Sequence, residues 1–218
     1  MPVNSLLLFF LISLFFVALL QIHIFEIAFV KLGLTPEIAS FLLLGTLLGS
    51  SINLPLYSLP TKQTGHLVIS PDRKPIWEIF QPAREGKIII AVNVGGCLIP
   101  VGLCLYFISL QFIDPIKIIA GILAITALSY KSSRLIPGLG VGMPVFLAPL
   151  SSALVALVLD PEHAAHLAYI SGVFGVLIGA DILRLNTITA LGTPVAAIGG
   201  AGTFDGIFIT GIIAALLA

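Results

Sequence analysis

Gly45-Thr-Leu-Leu-Gly-Ser-Ser-Ile52 recurs later in the chain as Gly175-Val-Leu-Ile-Gly-Ala-Asp-Ile182. The glycines fall at i and i+4 in both copies, with the same apolar pattern between and after them. Two further blocks recur in the same order. Pro36-Glu-Ile-Ala39 matches Pro161-Glu-His-Ala164 upstream, and Val94-Gly-Gly96 matches Ile198-Gly-Gly200 downstream, with Gly102 and Gly206 following without a gap. Three blocks in order point to an internal duplication, which shapes the fold before any single residue is considered.

The rest of the chain says what kind of fold is duplicated. Its 218 residues are 58% hydrophobic and 9% charged, with a mean hydropathy of +1.16. Soluble domains carry roughly a quarter charged residues, so the composition is that of an integral membrane protein whose partner is the lipid bilayer. The net charge of +0 gives no sign of a nucleic-acid partner. Seven apolar segments follow from the roughly 20-residue spanning length: 6–30, 36–57, 88–110, 116–130, 143–159, 164–185 and 203–217. Breakers such as Asp114-Pro115, Asp160-Pro161 and Gly192-Thr-Pro194 separate them. The apolar run from Leu6 lacks a basic start and a small-residue cleavage site, so it reads as an uncleaved first helix. The longest polar connection runs from Ser58 to Lys87.

These segments predict an all-α polytopic protein with a single membrane domain over 1–218. Repeat one covers about 6–110, a linker helix about 116–130, and repeat two about 143–218. Matching segments are an even number of helices apart, so both repeats enter the membrane in the same direction. Eight of the ten basic residues fall on the side reached after even-numbered helices; Lys31 and Lys117 fall on the other. That asymmetry predicts a cytoplasmic N-terminus and an extracytoplasmic C-terminus.

Gly45, Gly49, Gly175 and Gly179, with Gly95, Gly96, Gly199, Gly200 and Gly202, are read as helix-packing residues, because small side chains let membrane helices approach backbone to backbone. Cys97 and Cys104, seven residues apart in one apolar run, are read as buried packing residues.

The quoted blocks, together with Val92-Asn-Val-Gly-Gly-Cys-Leu-Ile-Pro100, Pro137-Gly-Leu-Gly140 and Gly199-Gly-Ala-Gly-Thr-Phe-Asp-Gly-Ile-Phe-Ile-Thr-Gly211, resemble a family of prokaryotic multi-pass membrane proteins catalogued as domain of unknown function 1614. The resemblance implies a bacterial or archaeal cytoplasmic membrane and assigns no activity. Gly200-Ala-Gly-Thr-Phe-Asp205 is also similar to the glycine-x-glycine-aspartate motif of intramembrane aspartyl proteases, with Thr203 and Phe204 inserted before the acid.

Four polar residues are candidates for function. Asp181 and Asp205 lie toward the cytoplasmic ends of segments six and seven, and acids at membrane depth are functional candidates by default. Asn53 and Asn93 stand at similar places in the first repeat. One reading makes the four a polar centre for a small solute, an ion or protons. A second makes Asp181 and Asp205 a catalytic pair sharing one proton. A third is structural: Asp205 caps segment seven and Asp181 pairs with Arg184. His163 and His166 share a helix face but lack further ligands, so no metal and no cofactor is predicted.

Overall fold

A computed structural model describes residues 23–60, 87–136, 140–188, 195–200 and 206–218. A first helix, α1, occupies 23–31 of the described part and ends at Gly33, whose φ of 75° suits only glycine in this turn. Helix α2, Pro36–Gly49, starts where the Thr35 side chain caps it and Pro36 fills the first turn. The chain then leaves helical geometry and forms strand β1, Asn53–Pro60. Strand β2, Lys87–Asn93, leads into a π-turn, Val94–Leu98, and helix α3, Ile99–Ser109.

Helix α4, Pro115–Ser132, is capped by Asp114, whose carboxylate accepts from the Ile116 amide at 2.8 Å. A short hairpin, β3 (Arg134–Ile136) and β4 (Gly140–Gly142), joins it to α5, Leu147–Leu159. Helix α6, Ala164–Val176, continues through a π-turn, Leu177–Asp181, and a 3-10 turn, Ile182–Arg184, into the short α7, Leu185–Ile188. Strand β5, Val195–Ile198, and helix α8, Gly206–Leu217, complete the described fold.

The chain is mainly helical, and two of the expected spans are corrected. The segment 36–57 is helical only to Gly49, and 88–110 only from Val94. Between them lies a three-stranded sheet in the order β1-β2-β5, with β1 antiparallel and β5 parallel to β2. The physical reason lies in the side chains. Ile88, Ile89, Ile90 and Val92 are β-branched, and Pro55 removes a helical donor. A short continuous apolar run fits a buried strand as well as a helix. Among the described residues, two helical stretches are long and apolar enough to cross a membrane, Pro115–Ser132 and Ala164–Arg184. The other apolar helices are shorter.

Helix α6 is the centre of the bundle, with α4, α5 and α8 packed around it. Ala168, Ile170, Ser171 and Val173 on α6 are completely or almost completely buried. The surrounding helices turn mostly small or polar residues inward, Ala39, Thr46 and Gly49 with Leu43 on α2, Gly121 and Ser129 with Ile118 and Ile125 on α4, Ala148, Ser152 and Ala156 on α5. Large apolar side chains face outward, as Ile38, Phe41, Leu44 and Leu48 do on α2 and Leu150, Leu154 and Val158 on α5. Cys97 and Cys104 are both buried.

Glycines set the closest approaches. A Cβ added at Gly175 would lie 2.5 Å from Ile125, and one at Gly179 2.5 Å from the Thr126 carbonyl oxygen. One at Gly95 would run into the Thr46 carbonyl oxygen. Gly45 differs, since the nearest atom, in Ile99, would be at an ordinary 3.7 Å, and Gly102 has nothing within 4 Å. Overpacking a fixed backbone contact costs roughly 1–3 kcal/mol or more. Gly95→Ala and Gly179→Ala are therefore expected to lower the apparent Tm of purified protein, while Gly102→Ala leaves it within a degree or two. Equal melting of all three variants would show that the glycines do not set the spacing.

Candidate polar crossing

The β1–β2 register places Asn53 directly opposite Asn93. The Asn93 side-chain amide donates to Asn53 Oδ1 at 2.9 Å and to the Ser50 carbonyl oxygen at 2.7 Å, while Asn93 Oδ1 accepts from the Gly96 amide at 2.7 Å. One nearly fully buried side chain, 1% exposed, thus joins the end of α2, the start of β1 and the first turn after β2. Each bond has a reason. Ser50 lies where α2 ends, so its carbonyl has no helical successor to accept from, and Gly96 is an early donor of a turn that needs a cap.

The second Gly-Gly pair closes on the first. Gly199, at φ 71°, stands where an added Cβ would be 2.6 Å from Cys97 Cβ and 2.8 Å from the Gly96 carbonyl carbon. An added Cβ at Gly200 would lie 3.2 Å from Asn53 Oδ1 and 3.2 Å from Asn93 Cβ. The Gly199 amide donates to Asp181 Oδ2 at 3.3 Å. Asp181, the last residue of the π-turn on α6, is thereby tied to the Gly-Gly turn that follows β5. Parallel pairing of β2 with β5, including Ala91 with Ala197 and Val92 with Ile198, is what carries both turns to the same end of the sheet.

Of the four candidate polar residues, Asn53 and Asn93 thus lie against Gly200 and Asp181 is bonded to the adjacent Gly199. Asp205 and Gly202 lie outside the described residues. An aspartyl-protease centre would require Asp181 and Asp205 to share one water, and that separation falls outside them too. Arg184, three residues beyond Asp181, reaches the end of α4: its Nη2 donates to the Tyr130 carbonyl oxygen at 2.6 Å and the Ser133 carbonyl oxygen at 3.2 Å, and its Nε donates to Ser133 Oγ at 3.2 Å.

Two hydroxyls complete the surroundings. Thr126 Oγ1 and Ser129 Oγ on α4 are buried and make no hydrogen bond among the described residues. Both residues lie against Gly179, inside the π-turn that ends at Asp181. Buried polar groups are nearly always partnered, and π-turns recur at functional sites, so this junction stands out from the rest of the bundle. Neither hydroxyl was a sequence candidate, because Thr and Ser within an apolar helix most often bond back to their own backbone.

The opposite end of the bundle holds a cluster that the sequence shows only as turn residues and a pair of histidines. Asp160, 5% exposed at the end of α5, pairs with Lys117 of α4 at 3.2 Å, and its other oxygen lies 3.4 Å from His163 Nδ1. His166 Nε2 is 3.1 Å from the Leu32 carbonyl oxygen, and its ring meets Phe107 edge-on. Among the described residues no group of three His, Cys, Asp or Glu side chains could hold a metal ion.

Burial alone would raise the Asp160 carboxyl, but the hydrogen bond and charge of Lys117, with His163, outweigh it and hold the group below the usual carboxylate range. A depressed folded value contributes stability above the unfolded value, about 3.9, and loses it as the pH falls through the folded one. The apparent Tm is therefore expected to drop in acid below about pH 4. Asp160→Asn should melt lower than the parent at pH 7 and converge with it in acid. A constant gap between the two across that range would remove the ion pair as the cause.

A family model described as Protein of unknown function (DUF1614) matches residues 47–217, and the chain belongs to that family. No curated protein and no solved structure matches it.

Proposed function

We propose that this member of the family is an integral protein of the prokaryotic cytoplasmic membrane that passes a small solute, an ion or protons through the crossing of its interrupted helices. The single observation that carries the reading is that non-helical backbone at Gly199-Gly200 brings the bonded Asn53–Asn93 pair and Asp181 onto adjacent residues. In hydrocarbon every backbone polar group needs a partner, so irregular backbone is tolerated only where it is buried in protein or lines a water-filled cavity. Transporter sites are commonly built this way, from broken helices whose freed backbone groups and a few polar side chains face the substrate.

The membrane setting is supported by the arrangement of the surface. Phe41, Leu48 and Val158 are each more than 70% exposed on helices whose inner faces carry alanine, glycine and serine. That arrangement suits lipid outside and close helix contact inside. Helices α2 and α6 depart from α geometry after about 14 and 13 residues, at 1.5 Å per residue some 20 Å along their axes. The crossing then falls within a hydrocarbon layer about 30 Å thick, toward the side richer in basic residues.

Asp181 is the group that would bind the cation or carry the proton. The Gly199 amide steadies its charged form, while the hydroxyls of Thr126 and Ser129 offer polar partners along the way. Asn53 and Asn93 hold the end of α2 to the turn after β2, beside the Gly199-Gly200 backbone that Asp181 contacts. The Gly-Gly turns let the two repeats, read as parallel copies, shift against each other without side-chain collision.

Purified protein in liposomes loaded with a pH-sensitive dye, and in a parallel set with a potassium or sodium indicator, tests the reading. The parent is expected to dissipate an imposed proton or monovalent-cation gradient, and Asp181→Asn to slow that flux by about tenfold or more, the scale of losing a charge-assisted contact. Folded parent protein that leaves every gradient at the rate of empty liposomes would overturn it.

A further inference from the structure

We infer that the end of α4 at Tyr130–Arg134 is a binding site for an anionic phospholipid, its headgroup held by Lys131, Arg134 and Arg184 and an acyl chain lying along α4. The inference rests on the membrane setting proposed above, and not on transport. On α4 the exposed residues Ile116, Ile119, Leu123 and Tyr130 follow at helical spacing on one stripe, and most of this helix is uncovered by protein. From Ile119 to Tyr130 the stripe runs about 16 Å, half of a hydrocarbon layer about 30 Å thick, which is the reach of one leaflet.

The stripe ends in positive charge. The Arg184 guanidinium stacks over the Tyr130 ring at 4.3 Å, and its three hydrogen bonds to Tyr130 and Ser133 use only Nε and Nη2. Those bonds fix the cation at the edge of the stripe and satisfy carbonyls at the negative end of α4. Lys131 and Arg134 are exposed on either side of the Ser132–Ser133 turn. Asp181, three residues before Arg184, receives the Gly199 amide. A fixed guanidinium with two exposed cations beside it, at the foot of an apolar track with an aromatic ring at headgroup level, matches a phosphodiester with an acyl tail. A soluble anion would use the charges and leave the track unused.

The test uses the full chain in neutral detergent, with native mass spectrometry counting bound lipid and thermal melting following stability. Phosphatidylglycerol is expected to bind in preference to phosphatidylcholine and to raise the Tm. The double variant Lys131→Gln/Arg134→Gln, altered only at exposed positions, should lose that preference by about tenfold or more while keeping the parent Tm in phosphatidylcholine. An unchanged preference in the variant, or equal stabilisation by glycerol phosphate without acyl chains, overturns the lipid site. Carbonate washing of native membranes separates the two levels. Release of the chain would overturn the membrane setting, whereas retention without any phosphatidylglycerol preference overturns the lipid site alone.

Discussion

The Asn93 side chain is the constraint on which the described fold turns. Where α2 stops at Gly49 and β2 gives way to a π-turn, backbone groups lose their helical partners inside a largely apolar bundle. A buried amide or carbonyl left unpaired costs several times what a hydrogen bond contributes net. Asn93 supplies a donor to Ser50 and Asn53 and an acceptor to Gly96 from one side chain. An asparagine can do this because its amide carries both a carbonyl oxygen and two N–H groups; an aspartate could not donate, and a leucine would satisfy none of the three. Once that junction is fixed, β2 sits between β1 and β5, and the Gly199 turn is delivered to Asp181.

Side-chain size then explains how the helices assemble around this junction. Gly172 of α6 faces Ser152 and Thr210, Gly121 of α4 faces Ser171, and Gly175 faces Ile125, so helix pairs meet through glycine on one side and a small or branched residue on the other. Close approach of this kind adds to a core that also buries large side chains such as Phe29, Leu167, Tyr169 and Phe208. The same division leaves hydroxyls in the interior, and most of them, such as Ser152 and Thr46, bond back to their own helix at 2.7 Å. Thr126 and Ser129 depart from that habit beside the π-turn, where neither hydroxyl has a hydrogen-bond partner among the described residues.

Much of this was legible in the sequence, but unevenly. The glycine-spaced blocks marked Gly49, Gly95, Gly179 and Gly199, each of which sits at a contact too close for a side chain. The duplication singled out Asn53, Asn93 and Asp181; the structure bonds the two asparagines to each other and ties Asp181 to the Gly199 amide, next to Gly200, which lies against them. The sheet was not legible, because Ile88-Ile-Ile-Ala-Val92 has no period that separates a buried strand from a helix, and its β-branched content was the only local signal. The Ser50 carbonyl, the acceptor that anchors Asn93, is backbone and leaves no mark in the sequence. Lys117 and Asp160 are 43 residues apart, and only the packing of α4 on the α5–α6 connection pairs them.

The central claim is that the junction of Asn53, Asn93 and Asp181 is reached by water within the membrane. It is tested most directly by thiol labelling in native membranes, using chain in which Cys97 and Cys104 are replaced by serine. In that background Asp181→Cys is compared with Ala168→Cys, a position in the core of α6 with 0% exposure. The account predicts that a membrane-impermeant, water-soluble maleimide modifies the variant at 181 and leaves the one at 168 unmodified. Equal protection of both positions, in protein that still melts cooperatively, would contradict it.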